Sequence, residues 1–243
     1  SASSDSGLTV SFASTTTPVC TVSGSTVTMV AAGTCSITAS QAGDDNYNAA
    51  TDVPQSFTIG KADQTITFTD PTDTTFTPAG TVSLSASSDS GLTVSFASTT
   101  TPVCTVSGST VTMVAAGTCS ITASQAGSDN YNAATDVTQT FSIGKAAQTI
   151  TFTDPTDTTF TPAGTVTLSA SATSGLDVSF VSTTTPVCTV SGSTVTMVAA
   201  GTCSITASQA GDDNYNAATD VPQSFTIGKA AQTIDFTDPT DTT

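Results

Sequence analysis

Ten residues, Ser1-Ala-Ser-Ser-Asp-Ser-Gly-Leu-Thr-Val, return unchanged from Ser85, and a close relative, Ser-Ala-Ser-Ala-Thr-Ser-Gly-Leu-Asp-Val, begins at Ser169. The 243-residue chain therefore has an internal period of 84 residues, and folding has to be solved once per period rather than once for one large domain. The six cysteines keep the same spacing: Cys20 and Cys35, Cys104 and Cys119, Cys188 and Cys203, one pair per period.

Within a period, clusters of Gly, Pro, Asp and Ser recur every several residues. Between them Val, Ile, Phe, Leu and Thr alternate with polar residues, the period-two pattern of half-buried strands. In the middle copy this predicts strands at 64–69, 81–86, 92–97, 103–106, 110–114, 119–124 and 137–143, about seven in all. A single sheet of that size leaves its apolar face open to water, so the expected fold is all-β: tandem Ig-like antiparallel β-sandwiches, each with one disulfide.

The natural seam is Ile59-Gly60-Lys61-Ala62, repeated at Ile143 and Ile227. It divides the chain into 1–61, a partial repeat lacking the first strands, two repeats at 62–145 and 146–229, and a first strand at 230–243. A seam this short is expected to restrict bending.

The stretch Pro18-Val-Cys-Thr-Val-Ser-Gly-Ser-Thr-Val-Thr-Met-Val-Ala-Ala-Gly-Thr-Cys-Ser-Ile-Thr-Ala39 resembles the bacterial Ig-like repeats, of Big or MBG type, that are strung together in large surface and secreted proteins. Gln-Thr-Ile-Thr-Phe from Gln64, and Gln41-Ala-Gly-Asp-Asp-Asn-Tyr-Asn-Ala-Ala50 before the last strand, are similar to the same family. The resemblance covers every repeat. It implies an extracellular stalk, spacer or adhesive array, and it transfers no catalytic residue, since fold alone does not fix function.

Two cysteines per repeat and no His are too few for a zinc site. Cys-X-X-Cys spacing, the mark of a redox-active pair, is absent as well. A structural disulfide is the expected pairing: Cys104 alternates in phase with Val106, and Cys119 with Ile121 and Ala123, so both can face the core. Such bridges imply an oxidising compartment, hence a location outside the cell or on its surface.

Three basic against nineteen acidic residues give a formal net charge of −16, which argues against nucleic acid or anionic lipid as partner. No apolar run reaches the ~20 residues of a membrane helix, and no signal segment opens the chain. The acidic loops are the one place where a cofactor suggests itself. Asp44, Asp45 and Asp52, with Asp70 and Asp73 of the Asp-Pro-Thr-Asp turn, offer oxygens that calcium could use, although Asp and Asn are also ordinary turn residues and Asp44 is replaced by Ser128 in the middle copy. No other metal or cofactor is expected.

Lys61, Lys145 and Lys229 raise an isopeptide brace, but each follows a Gly at a seam and no Glu exists in the chain, so a solvated linker lysine is the expected role. Tyr47, Tyr131 and Tyr215 are expected to pack as corners with the hydroxyl bonded to backbone, rather than to form a sugar-stacking surface. With no His and no Arg, nothing evident activates the many Ser and Thr hydroxyls, and no enzyme is expected.

The expected function is therefore an extracellular structural array, the stalk of a surface adhesin or a filament. In the filament form the partner is the chain itself, end to end, with 230–243 of one subunit completing the open sandwich of the next. The alternative is an adhesive module recognising a glycan or protein on a cell surface, with or without calcium.

Overall fold

Alternating apolar residues become strands because a pleated chain throws successive side chains to opposite faces, so one face can be buried while the other stays wet. In the computed structural model, which describes residues 1–238, every regular element is a β-strand. The chain gathers into two units. The first comprises Ser1–Thr72, Thr81–Thr112 and Cys119–Phe141; the second comprises Asp73–Gly80, Met113–Thr118 and the chain from Ser142 on.

The third repeat lies wholly in the second unit. One sheet orders Thr158–Thr159, Val221–Gly228, Gly201–Ser208 and Ser179–Ser182; a second orders Thr165–Thr167, Thr194–Met197 and Cys188–Ser191; Ile150–Phe152 and Ala170–Ala172 form a two-stranded ribbon. This is an Ig-like sandwich, antiparallel except where Thr158 and Thr159 pair in parallel with Ile227 and Gly228. Register follows the pleat. Cys203 faces Phe225, Ile205 faces Gln223 and Ala207 faces Val221, and Cys203, Ile205, Ala207, Phe225 and Ile227 are all buried. Across the core, Val195 pairs with Val166 on one side and Val190 on the other. Ile150, Phe152 and Leu168 complete the cluster, with the Phe152 and Phe180 rings 5.3 Å apart.

Nine strands form here instead of about seven. The predicted opening strand forms as Ile150–Phe152 and stops before Asp154-Pro155, where proline has no N–H for a ladder, and an additional short strand, Thr158–Thr159, follows. Beyond that break the chain changes sheets, and the Asp157 carboxylate accepts from the Thr226 N–H at 2.6 Å. The other additional strand, Ala170–Ala172, is built of small residues that carry little hydrophobic pattern.

One tight turn works against its own sequence. Gly164 N–H bonds Thr161 C=O across Pro162-Ala163, and Ala163 sits at φ 57°; the Ala79 turn repeats this at φ 54°. That position suits Gly or Asn. The glycine comes one residue later because a Cβ on Gly80 would meet Thr77 Oγ1 at 2.9 Å and Met113 Sδ at 3.1 Å.

In the first unit, the opening repeat has five strands: Ser11–Ser14, Gly33–Ser40 and Val53–Ile59 in one sheet, Cys20–Ser23 and Thr26–Met29 in the other. The same unit holds the ribbon Ile66–Phe68 with Ala86–Ser88, where Phe68 and Phe96 lie 5.3 Å apart.

Candidate functional site

The cysteines pair as the spacing implies: Cys20 with Cys35, Cys104 with Cys119, Cys188 with Cys203, and all six are fully buried. In the third repeat Cys188 belongs to the three-stranded sheet and Cys203 to the four-stranded one, so the bridge ties the two layers together across the core. It lies far from solvent, in a purely structural position.

The loop that carries Asp44 and Asp45 in the first repeat returns with the same turn in each later copy. Asp212 Oδ1 accepts from the N–H groups of Asn214 and Tyr215, both at 2.8 Å, and the Asp212 N–H donates to Tyr215 C=O. Asp44 does the same with Asn46 and Tyr47. In the middle copy Ser128 Oγ accepts from Asn130 N–H at 3.2 Å. A hydroxyl and a carboxylate can both serve as this turn's acceptor, which accounts for the Asp-to-Ser exchange. The bend requires Gly: Gly127 has φ +84°, and a Cβ there would lie 2.5 Å from Tyr131 C=O.

Held in this shape, the loop clasps the seam. Within the first unit, Asn130 Oδ1 accepts from Ala32 N–H of the preceding repeat at 2.9 Å, Lys61 Nζ donates to Ser128 C=O at 2.6 Å, and Ala62 exchanges two backbone bonds with Asn130 and Asn132. Within the second unit the pattern returns: Asn214 Oδ1 accepts from Ala116 N–H at 2.8 Å, Lys145 Nζ donates to Asp212 C=O at 2.6 Å, and Ala146 bonds Asn214 and Asn216. There Tyr215 also packs edge-on against Phe76, ring centroids 5.9 Å apart. This contact, rather than a corner, is what the structure makes of Tyr215. Lys61 and Lys145 are exposed, as a linker lysine should be, but each has a fixed backbone partner that the sequence did not reveal.

A second set of polar groups also went unrecognised. Gln148, only 6% exposed, donates from Nε2 to Gln209 Oε1 at 2.6 Å and Asn216 C=O at 2.7 Å, and its Oε1 accepts from Ser174 Oγ. Gln64 does the same with Gln125, Asn132, Ser88 and Ser90. The glutamine fastens the first strand of each repeat to the loop that grips the seam. Beside it, Asp89 accepts from Thr65 N–H at 3.0 Å and Thr65 Oγ1 at 2.8 Å, and these two bonds hold its carboxyl below the ordinary carboxylate value.

The candidate calcium residues are not brought together. Asp44 is engaged in its turn and Asp73 Oδ1 accepts from Ser142 N–H at 2.7 Å, while Asp45, Asp52 and Asp70 are exposed. Among the described residues no three His, Cys, Asp or Glu side chains converge on a point that could hold a metal ion. No helix among them is long and apolar enough to cross a membrane.

No protein-family model matches the sequence, and no curated protein does. Among solved structures, the chain is similar to mouse protocadherin-24 EC1-3 at 12% identity and a TM-score of 0.39, over 92% of this chain and 90% of that one. Drosophila N-cadherin EC1-3 is similar at 10% identity and 0.36, over 91% and 89%. The surface layer protein SbsC, domains 1-6, is similar at 15% and 0.30, over 94% of this chain and 36% of that one. At such identities and TM-scores the likeness carries no argument about ligand, partner or activity.

Proposed function

We propose that this chain acts outside the cell as structural length, a run of Ig-like repeats in the stalk of a surface adhesin or in a filament, and that it is not an enzyme. The observation that carries the reading is the seam clasp. The same Asn side chain, the same Lys and the same pair of backbone bonds recur at both described junctions, a chemistry that fixes one repeat to the next and reacts with nothing. The buried disulfide in each repeat supports both export and resistance to extension. The lack of His, Arg and Glu leaves few groups for acid–base or oxyanion chemistry.

Force spectroscopy on the tethered chain tests this. Repeats that bear load give discrete unfolding events, and reduction lengthens each event by the 15 residues held within the bridge, roughly 50 Å at about 3.5 Å per residue. Smooth extension without events overturns the reading. So does saturable capture of a defined glycan or protein by a chain whose seam residues Asn214 and Lys145 have been replaced by Ala, which assigns the chain to recognition.

A further inference from the structure

Two short parallel strands close the middle repeat beside its seam. Thr74 pairs with Ile143 and Thr75 with Gly144. Before them Asp73 Oδ1 accepts from Ser142 N–H at 2.7 Å, and after them Phe76 N–H donates to Gly144 C=O at 2.8 Å. The chain comes into this clamp at Asp73 and leaves it at Lys145, and both strands run the same way. Tension that reaches the clamp draws them lengthwise past each other, so the neighbouring bonds resist together instead of opening one by one. These segments, with Met113–Thr118, belong to the same compact unit as the third repeat.

Tyr215 of the third repeat holds both strands at the end of this clamp. Its backbone is bridged in parallel to Ala146, just beyond Gly144, through bonds of 2.8 and 2.9 Å that Ala146 makes with Asn214 and Asn216. Its ring stands edge-on to Phe76, the residue after Thr75, with centroids 5.9 Å apart, and Phe76 is only 7% exposed. One residue thus fixes the outgoing strand through its main chain and covers the incoming strand through its side chain.

We infer that Tyr215 braces the clamp of the middle repeat, so that the resistance of that repeat to opening is completed by the repeat that follows it. A ladder this short has no interior, and its ends fray unless something outside it holds them. Here the strands cannot part at Phe76 without also giving up the aromatic contact. Stability in tandem arrays includes terms from nearest neighbours, and this contact gives such a term a direction: a substitution in the third repeat weakens the middle one. The inference rests on the structural reading above and names the residue that carries load across the joint.

Amide exchange followed by mass spectrometry on the intact chain reads each clamp separately, because Thr140-Phe-Ser-Ile-Gly144 and Ser224-Phe-Thr-Ile-Gly228 differ in sequence. In Tyr215→Ala, exchange across Ser142–Gly144 is expected to rise about fivefold, the worth of one aromatic pair. Thr226–Gly228 and Ile150–Phe152, in the repeat that bears the substitution, are expected to stay as in the parent, and Tyr215→Phe, which keeps the ring, is expected to match the parent throughout. Force spectroscopy separates the brace from the structural reading. With Cys104→Ala and Cys119→Ala as a length marker, the event of the middle repeat is the one lengthened by the 15 residues of its bridge, and Tyr215→Ala on that background is expected to lower the force of that event alone. Extension without events overturns the structural reading. A rise under about twofold at Ser142–Gly144, less than an aromatic pair supplies, overturns the brace; so does a rise equal in both clamps or confined to the third repeat, or a marked event at unchanged force.

Discussion

Replacing Gln148 by Leu removes the polar fastening of the first strand in the third repeat while keeping nearly the same volume. The wild-type amide makes three bonds, two donated to Gln209 and Asn216 and one accepted from Ser174. At about 1 kcal/mol net for each, the loss is about 3 kcal/mol. Two corrections lower it: Gln209 Oε1 keeps the Gly211 N–H, and the leucine gains apolar burial worth about 1 kcal/mol of transfer in a site only partly apolar. The expected net cost is about 2 kcal/mol. Amide exchange followed by mass spectrometry reads it locally, because the fragments Ala146-Ala-Gln-Thr-Ile-Thr-Phe and Ala62-Asp-Gln-Thr-Ile-Thr-Phe differ in sequence. Exchange across Ile150–Phe152 should rise roughly 30-fold, since about 1.4 kcal/mol is a factor of ten, while Ile66–Phe68 is unchanged. Gln148→Glu should cost more, because a buried carboxylate there faces the Gln209 and Asn216 oxygens with no proton to give them. A change under threefold in Gln148→Leu, or an equal change in both repeats, refutes the claim that this network fastens the strand.

Three further outcomes are expected. Cys188→Ala with Cys203→Ala, which opens a loop of 15 residues, should cost about 3 kcal/mol of third-repeat stability in the chain-entropy account, measured by chemical denaturation against the parent; an unchanged midpoint refutes it. Ala163→Gly should stabilise by about 0.5 kcal/mol, because a left-handed Ala costs about 1–2 kcal/mol and glycine's greater unfolded freedom returns part of that gain; a lower melting temperature speaks against it. Asp89 has its carboxyl held down by Thr65, so its contribution is complete above the ordinary carboxylate value of 3.8 and is lost as pH falls below that value through the lowered one. Exchange in the Ile66–Phe68 strand should therefore accelerate below pH ~4 relative to Ile150–Phe152, where Thr173 Oγ1 accepts from Thr149 N–H and does not titrate; parallel behaviour of the two strands rules this out.

Much of the fold was legible because its physics is local. Strands such as Gly201–Ser208 alternate Cys203, Ile205 and Ala207 against polar residues, and period two with a buried face is all that pairing requires. The cysteine spacing carried the disulfides for the same reason, by phase with neighbouring apolar residues. Thr158–Thr159 was illegible: two threonines have no alternation, and their strand exists only because Ile227 and Gly228 lie beside them. The seam clasp was half legible. Glycine, Asp and Asn announced a turn, but the partner of Asn214 lies 98 residues away at Ala116, a distance over which no local pattern speaks. Gln64 and Gln148 were seen only as members of a strand, since nothing in a lone polar residue at a strand's start says it is buried. The calcium reading arose from counting oxygens along the chain. Among the described residues no three acidic side chains converge, and Asp44 and Asp73 each have a carboxylate oxygen bonded to backbone N–H groups.

The seam chemistry also answers the charge of the chain. A formal net charge of −16 with only three cations sets neighbouring repeats against each other electrostatically, and exposed carboxylates repel over about a Debye length, ~10 Å at 0.1 M salt. A junction built on ion pairs would need cations the chain does not have. What it has instead are neutral bonds from Asn130 and Asn214 to backbone N–H groups, together with one lysine per described junction. Lys61 and Lys145 each donate to a backbone carbonyl of the loop, Ser128 C=O and Asp212 C=O, bringing a positive charge to a loop that carries aspartate while the hydrogen bond itself goes to backbone. Because a carbonyl acceptor does not depend on the residue that bears it, Ser128 can replace Asp at the loop's first position without disturbing the lysine. A junction whose holding bonds run through backbone and amide groups tolerates sequence drift and salt alike, and that tolerance is what a reused structural unit needs.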